Sequence, residues 1–92
     1  SEARKLDREV QRLYSKGGKF EKAAAKLGRK RAGLNQGIEQ WGRDCAAASR
    51  RCQNRRASLE KRARRLERAI GEHNAGVSEW RKAVSALETR AG

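Results

Sequence analysis

No proline and no methionine occur in this chain, and its aromatic residues are only Tyr14, Phe20, Trp41 and Trp80. Ala, Leu, Glu, Lys, Arg and Gln dominate instead. These residues lose least on entering a helix, so with no proline to break it the chain reads as all-α. Long apolar runs are missing too. No stretch approaches the roughly 20 residues that span a bilayer, and the amino terminus lacks the apolar core of a signal peptide. A cytoplasmic protein with no membrane partner is the expectation.

Histidine is nearly absent, and with it most enzyme chemistry. His73 is the single histidine, and it falls on an apolar stripe between Ile70 and Val77, which reads as a packed residue. No nucleophile with a recognisable base, no phosphate-cradling glycine loop ahead of a strand and no paired carboxylates are present, so neither catalysis nor a cofactor is expected. Tyr14 reads as the anchor that packs the first helix. Cys45 and Cys52 are the two cysteines; without CxxC spacing or histidine partners they make no metal site. On one continuous helix they would share a face about 10 Å apart, too far for an intrachain bridge. They read as small buried residues, with an interchain disulfide in a parallel dimer as the alternative.

Acidic residues are the last shortage, 11 against 24 Lys and Arg, for a net charge of +13. The excess sits in two blocks: residues 16–31 carry +6 and residues 50–68 carry +7, while 1–15, 32–49 and 69–92 sum to +1, −1 and 0. Glu39 with Arg43 and Glu60 with Arg64 have the spacing of helical ion pairs, which contribute only a few tenths of a kcal/mol. A charge run is ordinarily a solvated helix face. Here the unpaired excess repels itself, and a polyanionic partner accounts for it better.

An apolar stripe organises the remainder. Leu6, Val10 and Leu13 imply a short helix over about 2–15, ended by Gly17-Gly18. A first arm over about 19–52 follows Phe20, Ala24, Leu27, Leu34, Ile38, Trp41, Cys45, Ala48 and Cys52. A turn is expected within 53–58, with Asn54 or Ser58 as the cap. The second arm, over about 58–90, follows Leu59, Ala63, Leu66, Ile70, His73, Val77, Trp80, Val84 and Leu87. Glycines weaken both arms, at roughly 1 kcal/mol each relative to alanine; a break is plausible near 71–77, with Ser78 capping the helix after it. The expected fold is an antiparallel helical hairpin with a short N-terminal helix, bundle-like with three helices and able to self-associate. An unbroken coiled coil is the alternative. Sixteen Leu, Ile, Val, Phe, Trp and Tyr residues give a thin core, so a partner would help. Trp41 and Trp80 both fall on the stripe and read as core anchors.

Two resemblances bear on function. "AAKLGRKRAGLNQGI", residues 24–38, resembles the helix-turn-helix of Cro-like phage repressors at Ala24, Leu27, Gly28, Leu34 and Ile38. It departs from that family at Arg29, where an apolar residue is usual. If it held, Arg31 to Asn35 would open a recognition helix in the major groove. "REVQRLYSKGGKFEKAAAKL" and "RARRLERAIGEHNAGVSEWRKAV" are similar in pattern to the basic helical carboxy-terminal regions of conjugative relaxases of the MobA/MobL kind, and to the Bep intracellular delivery domains used in type IV secretion. That resemblance implies plasmid or mobile-element DNA processing and assigns no individual residue.

The charge and these patterns point to a non-catalytic nucleic-acid-binding module, for DNA more than RNA, holding phosphates with little sequence preference. Lys22, Lys26, Arg29, Lys30 and Arg31 form one expected contact patch. Arg50, Arg51, Arg55, Arg56, Arg62, Arg64, Arg65 and Arg68 form the other. The competing class is a basic helical module that docks an acidic protein, self-associates or serves as a secretion signal.

Overall fold

A computed structural model describes residues 1–46 and 48–91. Two helices account for nearly all of them: α1, Glu2–Asp44, of 43 residues, and α2, Arg50–Ala91, of 42 residues. They pack against each other, and no strand and no third helix occur among the described residues. The short helix expected over 2–15 is therefore the first part of α1, which runs through Gly17-Gly18 without a break. The second arm is likewise unbroken at 71–77, and Ser78 lies inside it. Of the first arm expected over 19–52, Ala47 lies outside the described residues.

The chain reverses after Asp44 and before Arg50, ahead of the turn expected within 53–58. Ser49 starts α2: its Oγ accepts from Cys52 N–H at 3.1 Å and its carbonyl from Gln53 N–H at 3.0 Å. An N-cap serine satisfies donors that the first helical turn leaves orphaned. Asn54 and Ser58 are consequently interior residues of α2. Ser1 caps α1 in the same manner, accepting from Arg4 N–H at 3.4 Å and Lys5 N–H at 3.2 Å. The turn also overturns the reading of the cysteines. Because α1 ends at Asp44, Cys45 and Cys52 come within 5.6 Å between Cα atoms and form an intrachain disulfide across the loop. The distance that excluded this bond applied only to a continuous helix.

The chain divides into two compact units. The terminal unit comprises Ser1–Ala24 and Glu72–Gly92, and the hairpin unit comprises Ala25–Gly71. In the terminal unit, α1 and α2 segments run antiparallel. Trp80 lies against Gly17, where a Cβ would stand 2.7 Å from Cζ2 of the indole, and Phe20 lies against Gly76, where a Cβ would be 3.3 Å from Cε1. The Trp80 Nε1–H donates to the Leu13 carbonyl at 2.8 Å. That carbonyl belongs to the helical turn ending at Gly17, and its second lone pair is open to the indole only because Gly17 has no side chain. Phe20 meets both His73 and Trp80 edge-on, with centroids 5.8 and 6.0 Å apart. His73 is thus packed, as its place on the stripe implied. Tyr14 is not: it is 77% exposed and anchors nothing in this unit.

The hairpin unit uses the same device. Leu59 lies against Gly37, where a Cβ would be 3.1 Å from Cδ2. Trp41 donates its Nε1–H to the Cys52 carbonyl at 2.8 Å. Gly37 is half-buried on the contact face, and Ile38, expected there, is 44% exposed. Ala24 is exposed as well, its place on the stripe taken by half-buried Ala23. Leu34 and Leu87 are the only buried hydrophobic residues among those described, one in each unit. The glycines at 17, 37 and 76 are therefore contact positions, and the packing they permit offsets their cost in helix propensity. Gly28, Gly33, Gly42 and Gly71 meet nothing within 4 Å, and no contact explains a glycine at these four.

These contacts set the expected response to substitution. Gly18, one residue from Gly17, faces open space, so Gly18→Ala should raise the unfolding free energy in urea by roughly 1 kcal/mol. Gly17→Ala should lower it, because the indole must shift and stretch its bond to Leu13; equal gains from both variants would refute the Trp80 contact. Replacing Cys45 and Cys52 together by serine should cost about 2–3 kcal/mol, the loop-closure entropy of a bridge across so short a loop. An unchanged denaturation midpoint would show that the bridge does not form.

Candidate nucleic-acid interface

Positive charge concentrates in the hairpin unit. Fourteen of the 24 basic residues and four of the 11 acidic residues lie there, giving it +10 of the chain's +13. The terminal unit, with ten basic and seven acidic residues, holds the remaining +3. Of the expected contact residues, Lys22 is exposed in the terminal unit, and the other twelve belong to the hairpin unit.

Antiparallel packing brings the two expected patches together at one place. Lys30 of α1 and Arg62 and Arg65 of α2 line a shallow groove of about 300 Å³, completed by Gly33, Leu34, Leu66 and Ala69. Lys30, Gly33 and Gly37 follow one another at helical spacing, as do Arg62, Arg65 and Ala69, so each set shares a face of its helix. Leu34 and Leu66 form the apolar floor. Gly37 leaves room for Arg62, whose Nη1 lies 3.8 Å from where a Cβ would stand. No carboxylate is among the lining residues. Two or three cations converging on one groove without an acid between them suit a phosphate or another dense anion.

Not every expected contact residue is free for such a role. Arg55 is half-buried and directs both Nη1 and Nη2 to Asp44 Oδ2 at 3.4 Å, with Nη1 also 3.8 Å from the Cys45 sulfur. Its guanidinium thereby joins the start of α2 to the end of α1 beside the disulfide. Arg56 Nε donates to Glu60 Oε1 at 2.9 Å. Glu60 thus pairs with the arginine one turn before it, where the sequence suggested Arg64. Arg43 turns to the Gln40 side-chain oxygen at 3.0 Å, leaving the suggested pair with Glu39 unmade.

The other hairpin-unit residues of the two patches, Lys26, Arg29, Lys30, Arg31, Arg50, Arg51, Arg62, Arg64, Arg65 and Arg68, are exposed. Among the described residues, none of these has a carboxylate within ion-pair distance. Lys61, outside the patches expected from the sequence, is exposed on the same part of α2 and joins them. Its signal was plain: a lysine between Glu60 and Arg62 inside the second basic block.

The geometry also removes the helix-turn-helix. Residues 24–38 lie wholly within α1, and a helix-turn-helix needs a turn between its helices; none interrupts the stretch at Gly28. Both indole N–H groups are bonded to backbone carbonyls across the helix pair and both rings are half-buried, so neither is a free platform for stacking a base. No group of three or more His, Cys, Asp or Glu residues able to hold a metal ion occurs among the described residues. Among the described residues, no helix is long and apolar enough to cross a membrane. No family model, curated protein or solved structure matches the chain.

Proposed function

We propose that the hairpin unit binds nucleic acid through its phosphates, without catalysis and with little preference for sequence. The observation that carries this reading is the groove of Lys30, Arg62 and Arg65, free of carboxylates, within a unit of net charge +10. Lys26, Arg29, Arg31, Arg64 and Arg68 extend the positive surface on the two helices. Duplex is favoured over single strand: phosphate contacts serve a duplex well, whereas single-strand binding draws much of its strength from aromatic stacking that Trp41 and Trp80 are not free to supply; DNA rather than RNA rests on the sequence resemblances alone. A role in plasmid or mobile-element DNA processing rests on the sequence resemblance alone.

The disulfide supports a second reading. Paired cysteines persist mainly in oxidising compartments, which argues against the cytoplasmic setting expected from the composition. Outside the cytosol, the same basic surface would dock an acidic protein, and the chain would act as an interaction module.

The two readings separate in a salt titration. Fluorescence anisotropy with unrelated duplexes should give similar affinities for all of them, falling steeply as salt rises. Replacing Arg62 and Arg65 by alanine should weaken every duplex alike and reduce the salt slope by about one for each phosphate no longer engaged. Arg55→Ala should weaken binding less than Arg65→Ala, since Asp44 already engages its charge. Negligible binding at physiological salt would end the nucleic-acid reading and leave the acidic protein.

A further inference from the structure

The terminal unit carries an apolar groove that the nucleic-acid reading does not use. It measures about 750 Å³ and runs between the α1 and α2 segments, with Val10, Phe20, Val77 and Val84 among its lining. Tyr14, Glu21, Arg81 and Glu88 line it too, and all four are exposed. Two packed helices bury one side of each other, and a third surface is needed to cover the apolar side chains that flank the seam. Within this unit Leu87 is the only hydrophobic residue that counts as buried among those described, while Tyr14 presents 77% of its surface to solvent.

We infer that this groove is closed by the same groove of a second copy of the chain, giving a four-helix dimer through the terminal units. Three observations select that occupant. First, the lining carries both signs, Arg81 with Glu21 and Glu88, so two identical surfaces related by a two-fold axis can set the arginine of each against carboxylates of the other. Second, charge permits the contact here and opposes it in the other unit: the terminal unit holds +3 and the hairpin unit +10, so copies meeting through the hairpin units would repel. Third, Leu87 is the only buried hydrophobic residue among those described in the terminal unit, so apolar surface remains there for a second copy to cover.

Sedimentation velocity and light scattering on the full chain, without nucleic acid, from low micromolar to near-millimolar concentration, test the inference independently of the DNA reading. The wild type should run at twice 10.3 kDa at the upper concentrations. Tyr14→Glu, at an exposed position, should weaken the dimer at least tenfold with helix content by circular dichroism unchanged. Arg81→Glu should be monomeric alone, as should the double variant Glu21→Arg/Glu88→Arg; mixed together, the two should restore the dimer, which a merely unfolded variant could not do. A wild-type chain that stays monomeric throughout overturns the inference. So does a dimer that survives Tyr14→Glu and Arg81→Glu, because the interface then lies elsewhere.

Discussion

Two helices hold each other only where they come close. Here that approach happens at glycine, where a large side chain of the facing helix lies at or inside the closest distance a Cβ would allow. Trp80 sits on Gly17, Phe20 on Gly76 and Leu59 on Gly37. At Gly17 the contact also has an electrostatic role, because it brings an indole N–H onto the Leu13 carbonyl. A half-buried tryptophan nitrogen without a partner would be costly. The bond makes the ring a fixed strut between the helices, and Trp41 acts in the same way toward the Cys52 carbonyl in the hairpin unit.

The hairpin unit combines this packing with a problem of self-repulsion. A net charge of +10 over 47 residues opposes compaction. The restraints stand beside the loop: the Cys45–Cys52 bridge, the Ser49 cap and the Arg55–Asp44 pair all join or start the helices within a few residues of one another. An exposed pair such as Arg55 with Asp44 contributes little by itself. The covalent bridge contributes more, and it frees the remaining arginines from any need to find acids within the chain. Their unpaired state is what the proposed phosphate contacts require.

Much of α2 could be read directly. Leu59, Leu66, His73, Trp80 and Leu87 recur every seven residues, with Ala63, Ile70, Val77 and Val84 between them, and all are at least half-buried. The first helix was harder. Its stripe includes Gly17 and Gly37, which a propensity argument takes for breaks and which only the opposite helix reveals as contacts. Between Asp44 and Ser49 the sequence carries no glycine or proline, so the end of α1 leaves a weak local trace, and the apolar stripe continues in the sequence into Cys52. The candidate site was legible as two blocks of charge, while the convergence of Lys30 with Arg62 and Arg65, and the withdrawal of Arg55 and Arg56, depend on which residues face each other.

The sequence by itself determined the helical class, the α2 stripe and the uneven charge, because helix propensity, periodicity and net charge are properties of residues and their near neighbours. Only the tertiary structure decided where α1 ends, that the cysteines pair within the chain, and which glycines are seats for aromatic rings. Each of those depends on a partner distant in sequence or on the place where one helix stops, and local pattern carries little information about either.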